Sequence, residues 1–144
     1  MIVIMYPGDF IFLSIKVLEK DADRLEEALD VYKRAEKIAP NHAMFKFNKA
    51  RVLFAMERFD EALVELQQLC ENTKPDSQVH FLMGKIFKQL NDPKSAIISF
   101  TMAHDYSTSG KTSNLIKDAI EKIHVDIDNV VSNDPFTNAT SPQA

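Results

Sequence analysis

The feature that most constrains this chain is that it repeats itself. Ala28, Ala62 and Ala96 recur 34 residues apart, and the same offset carries Leu29 to Leu63 to Ile97, Tyr32 to Leu66 to Phe100, and Ala35 to Leu69 to Ala103. All twelve positions are apolar in a chain that is 45% apolar, an agreement that chance gives roughly once in ten thousand trials. Within each unit these residues fall at i, i+1, i+4 and i+7, which is one stripe along a helix of about four turns. In the second and third units another periodic stretch comes first, pairing Phe47 with Phe81, Ala50 with Gly84, and Leu53 with Phe87. Each unit is therefore predicted to be two helices joined by a turn.

The punctuation agrees with that division. Pro40 and Pro75 follow the second helices, Asp76 stands where it can cap the next helix, and Asp92-Pro93 offers an N-cap with proline at the first helical position. Only three glycines occur in 144 residues, too few for an architecture built on hairpin turns, so the expected fold is all-α. Small residues at 50 and 84, with the three alanines, sit where paired helices must approach closely. Helices of about 14 residues are marginal alone and gain stability by stacking, and the ends of a stack need capping. Leu115, Ile116, Ala119, Ile120 and Ile123 form one face opposite Lys117, Asp118, Glu121 and Lys122, which suits a capping helix. The expected layout is a degenerate first helix in residues 1–24, repeats over 25–107, a capping helix over 108–125 and a disordered tail over 126–144. The apolar start, Met1 to Ile15, has no polar capping pattern, so the chain is expected to be the tail of a longer array.

Charge narrows the partners. Seventeen basic against 21 acidic residues leave a net charge of −4 and a pI near 5.5, which disfavours nucleic acid as a main partner. A lone Cys70 supports neither a disulfide scaffold nor a cysteine zinc site and points to a reducing compartment. The stretch Met1 to Ile15 is broken by Tyr6-Pro7-Gly8-Asp9 and has no basic flank or cleavage site, so neither a membrane span nor a signal peptide is expected. Gly110-Lys111-Thr112 has Asp105 where a phosphate-binding loop needs glycine. His42, His80, His104 and His124 are scattered, and Cys70 lacks a cationic neighbour. In the tail, Asp134-Pro135-Phe136, Asn138-Ala139-Thr140 and Ser141-Pro142 are matches too short to weigh. No metal, no cofactor and no catalytic constellation are expected.

A 34-residue two-helix unit with a small residue in its first helix, and Ala, an aromatic or Leu, then Ala in its second, resembles the tetratricopeptide repeat. The third unit fits best, through Met83, Gly84, Phe87, Ala96, Phe100 and Ala103. The second departs, with Lys46 and Lys49 where the family usually carries a large aromatic and a leucine, and Leu69 in place of the late alanine. More specifically, the runs Phe45 to Ala55, Phe81 to Leu90 and Ile116 to Lys122 resemble the C-terminal repeats of the cell division cycle twenty-seven family, the tetratricopeptide scaffold subunits of the anaphase-promoting complex, over about residues 25–124.

The resemblance implies an all-α tetratricopeptide solenoid of about three units with no catalytic role, part of a cell-cycle ubiquitin ligase of the nucleus and cytoplasm. Its partners would be other protein subunits and C-terminal peptide tails of the Ile-Arg type. Family alignment puts Met44, Phe47, Asn48, Arg51 and Phe54 on the groove side of the second unit, and Gln78, Phe81, Lys85 and Lys88 on that of the third. Two phenylalanines beside three cations can hold an aliphatic side chain and a terminal carboxylate. The two-carboxylate clamp of co-chaperone repeats is matched only at Asn48, which disfavours a chaperone-tail receptor. The alternatives are an RNA-binding helical repeat, against which the acidic balance counts, and a repeat adaptor of another complex.

Overall fold

The computed structural model describes residues 24–74 and 76–132. Six helices occupy them: α1 (Leu25–Ile38), α2 (Ala43–Ala55), α3 (Phe59–Asn72), α4 (Ser77–Gln89), α5 (Pro93–Asp105) and α6 (Gly110–Ser132). There is no strand among the described residues. The chain divides into two compact units at residues 74 and 75, so α1–α3 form one and α4–α6 the other.

In the first unit α2 packs on both α1 and α3. The α1 stripe is buried throughout, at Ala28, Leu29, Tyr32 and Ala35, and α3 buries Ala62, Leu66 and Leu69. Acidic first turns, Glu26-Glu27 in α1 and Asp60-Glu61 in α3, lie where the helix dipole favours negative charge. The α2–α3 turn closes on itself. Glu57 adopts a left-handed φ of 59°, its N–H donates to Phe54, and the Arg58 N–H donates back to Leu53. That six-to-one and five-to-two pattern satisfies carbonyls which the last turn of α2 otherwise leaves unpaired.

The second unit repeats the device 34 residues on. Asn91 has φ 60°, and the N–H groups of Asn91 and Asp92 donate to Lys88 and Phe87. The Asp92 carboxylate then caps α5, accepting from the Ser95 N–H at 3.1 Å and the Ser95 hydroxyl at 2.6 Å, with Pro93 opening the helix. Asp76 caps α4 by accepting from the Gln78 N–H at 2.8 Å. Between α4 and α5 the backbones come close. A Cβ on Gly84 would stand 2.7 Å from two ring carbons of Phe100, so only glycine fits opposite that ring. The equivalent pair in the first unit is Ala50 with Leu66, both fully buried. A smaller partner there leaves room for the methyl group.

The last helix corrects one expectation. It runs on to Ser132, past the predicted end at residue 125, so 126–132 are helical and not a disordered tail. Ile116 and Ile123 are buried against the α5 residues Ala96, Phe100 and Ala103, and Ile127 continues that packing. The apolar period does not stop at Asp126. Ile127, Val130 and Val131 carry it on, and neither Gly nor Pro intervenes before Ser132. The predicted first helix before residue 24 and the tail beyond 132 lie outside the described residues.

Two outcomes follow from this packing. Gly84→Ala is expected to destabilise the chain by about 1–3 kcal/mol through overpacking, and Phe100→Leu in the same chain is expected to recover part of that loss. A double-mutant cycle in chemical denaturation measures this, and strict additivity would contradict the proposed contact. Glu57→Gly is expected to stabilise by roughly 0.5–1 kcal/mol, since relief of the left-handed strain exceeds the added chain entropy, with a smaller gain for Asn91→Gly.

Candidate peptide-binding face

The inner side of α2 is held by charge. Lys49 Nζ donates to Glu36 Oε2 of α1 at 2.8 Å and to Glu65 Oε1 of α3 at 2.7 Å, and the Lys49 side chain is only 13% exposed. Burial pushes the Lys49 ammonium toward deprotonation. Its hydrogen bonds to Glu36 and Glu65 and their negative charges outweigh that, and its pKa lies above the ordinary lysine value. The second oxygen of Glu65 is buried with no hydrogen-bond partner among the described residues. Leucine-type packing would have filled this slot without directionality, whereas two charge-assisted hydrogen bonds bracket Nζ from neighbouring helices.

The side of α2 away from Lys49 carries Phe47, Arg51 and Phe54 of the predicted groove residues, with Asn48 on its flank. Phe47 and Phe54 are half-buried, Arg51 is exposed, and Asn48 is buried at 8% exposure. Asn48 Oδ1 accepts from Arg51 Nη1 at 3.4 Å, a long contact that links the amide to the guanidinium. Phe54 packs its ring on Phe59 at 5.7 Å between centroids. Met44 is exposed on the same helix. A half-buried aromatic pair on the same helix as a guanidinium offers an apolar seat and a forked donor, the combination that suits an aliphatic side chain and a terminal carboxylate of one peptide.

In the second unit the four predicted residues have different surroundings. Phe81 packs on Phe100, centroids 5.4 Å apart, and flanks the core of its own hairpin. Lys85 and Gln78 are exposed on α4. Lys88 reaches α6, with Nζ 3.8 Å from Asp126 Oδ2, both side chains largely in solvent. Lys88 also edges a cavity of about 350 Å³ whose walls include Pro93, Ile123, Ile127 and Val130. Elsewhere on α4, burial lowers the pKa of His80, whose ring stacks on Tyr106 at 5.4 Å. In the first unit, burial and then the Glu71 charge push the Cys70 thiol up, which makes it a poor nucleophile.

A family profile described as the tetratricopeptide repeat matches residues 20–86. With the 34-residue period now visible in the paired helices, the repeated turns and the buried stripes, the match decides the matter. Residues 20–86 are tetratricopeptide repeats. It is 38% identical over 107 residues to anaphase-promoting complex subunit 3 of Schizosaccharomyces pombe, an alignment that takes in 74% of this chain and 16% of that protein. It is 28% identical over 106 residues to the Dictyostelium discoideum protein of the same name, covering 74% of this chain and 11% of that one. Against cell division cycle protein 27 homolog B of Arabidopsis thaliana it is 36% identical over 102 residues, 71% of this chain and 14% of the relative. The chain thus spans less than a fifth of the length of the curated relatives it matches.

Within these repeats, the ionic trio was the part that sequence reading missed. Lys49 stood out only as a departure from the repeat pattern. The signal was available in its partners, because a lysine in a slot flanked by buried residues needs carboxylates within reach, and Glu36 and Glu65 lie 13 residues before it and 16 after. Lys49→Ala leaves two carboxylates facing each other across a slot where the side chains are 15–29% exposed. We expect a loss of about 2 kcal/mol, below the figure for a fully buried pair because water reaches the site. Arg58→Ala, which removes an exposed pair with Glu61, is expected to leave the denaturation midpoint where it was. Since the folded lysine pKa is raised, its contribution is complete below the ordinary value of 10.5 and fades as pH rises through the higher folded value. The stability gap between the parent and Lys49→Met should therefore stay flat from about pH 7 to 9 and close only in stronger alkali.

Proposed function

We propose that this chain is a non-catalytic docking scaffold within an assembly of the anaphase-promoting complex type, acting in the nucleus and cytoplasm. The 38% identity to anaphase-promoting complex subunit 3 over 74% of the chain carries this reading. The repeat architecture supports it, because two-helix units present helix faces to other polypeptides.

The finer reading concerns the ligand. Phe47, Arg51 and Phe54 on α2, with Asn48 behind the guanidinium, form a face for a C-terminal tail ending in Ile-Arg. The aromatic pair takes the isoleucine side chain, and the guanidinium takes the terminal carboxylate with paired N–H donors. In the second unit, taken by itself, α4 offers Phe81, Lys85 and Lys88 as further candidates, and Lys88 stands 3.8 Å from Asp126.

Titration of the full chain with a labelled peptide ending in Ile-Arg, and with its C-terminally amidated form, tests the reading. The free carboxylate is expected to bind at least about tenfold more tightly, equivalent to roughly 1.4 kcal/mol, and Arg51→Ala is expected to erase most of that difference. Equal binding of the two peptides would remove the carboxylate-reading role of Arg51, Lys85 and Lys88.

A further inference from the structure

Lys49 and the candidate peptide face occupy opposite sides of one helix. Taking about 100° per residue, Phe47, Arg51 and Phe54 project some 140–200° around α2 from Lys49. The intervening positions are filled by buried Ala50 and Leu53 on one side and by Asn48 and Val52 on the other. Whatever sets the rotation of α2 about its own axis therefore sets where the aromatic pair and the guanidinium point.

Apolar packing sets that rotation weakly. Contacts among aliphatic side chains are non-directional, and a helix can turn several degrees among them at small cost. The Lys49 ammonium is different, because its two short hydrogen bonds run to α1 on one side and to α3 on the other. Rotation of α2 either way lengthens one of them. A trio of this kind is not needed for stability, since apolar groups of matching volume do as well as a buried ionic group or better, and the best-attested use of such groups is to specify geometry.

We infer that the Glu36–Lys49–Glu65 trio is a positioning device, with Lys49 the positioning residue that holds α2 at the rotation in which Phe47, Arg51 and Phe54 present a joint face. The trio acts on binding through orientation and touches no ligand. The inference rests on the α2 face being the peptide site of the preceding section.

Two variants of the full chain test it. In Glu36→Gln/Lys49→Leu/Glu65→Leu the ionic trio gives way to a largely apolar junction, and in Lys49→Arg the charge and the donors are kept. The apolar variant is expected to unfold within about 3 °C of the parent yet to bind the Ile-Arg peptide at least fivefold more weakly. Lys49→Arg is expected to bind within about twofold of the parent, a rescue that a merely structural role would not require. Independently of any ligand, backbone residual dipolar couplings of α2 against α1 and α3 are expected to report a changed rotation in the apolar variant and the parental one in Lys49→Arg. A folded apolar variant with parental couplings overturns the inference, as does one that binds the peptide as tightly as the parent. A parent that treats the free and amidated tails alike overturns the peptide reading instead, and the couplings still decide the role of the trio. If the apolar variant does not fold, parental couplings and parental peptide affinity in Lys49→Met overturn the inference, and altered rotation with weakened binding supports it.

Discussion

A helix of 13 or 14 residues does not persist in water by itself, because its few hydrogen bonds barely offset the cost of nucleation. Each of the first five helices here is of that length, so each exists only by burying one stripe on a neighbour. The smallest residues set how closely that can be done. Ala28, Ala62 and Ala96 are all 0% exposed, as is Ala50, and Gly84 is required where the opposing residue is the ring of Phe100. The repeat is thus a matched set of small and large side chains, and a change on one helix is felt on its partner.

Against that apolar background the Lys49 junction is the exception. A charged side chain in a slot of this kind is tolerated because two carboxylates and a remnant of solvent meet it, and the two helices that supply them are the ones α2 packs against. The balance of burial against charge leaves the ammonium ionised at every pH the protein meets in a cell. A polar junction adds direction to a fold whose other contacts have little of it. The same division appears in the second unit, where the Asp92 cap and the turn at Asn91 give direction and the isoleucines of α6 give attraction.

Much of this was legible beforehand. Of the twelve apolar positions repeated every 34 residues, ten are buried, and only Leu63 and Ile97 are half-exposed. Caps at Asp76 and Asp92 are where composition places them, because the chemistry of a helix end is local and is written in adjacent residues. The end of α6 was misjudged for the opposite reason. A run of Asp and Asn masked a three-and-four spacing of Ile127, Val130 and Val131 that carries the helix seven residues further. Among the candidate site residues, the α2 set came from the family resemblance, whereas the packing of Phe81 on Phe100 and the approach of Lys88 to Asp126 are contacts between helices that spacing along the chain does not carry.

Sequence alone determined the period, the pairing of helices and the sites of their caps, since each depends on spacing along one chain and on the propensities of neighbouring residues. Only the tertiary structure decided that Lys49 is answered by Glu36 and Glu65, and that glycine is obligatory opposite Phe100. Only it brought Lys88 within 3.8 Å of Asp126. These are facts about atoms brought together from different helices, and their energies depend on distance and on the water excluded between them, neither of which is a property of residue order.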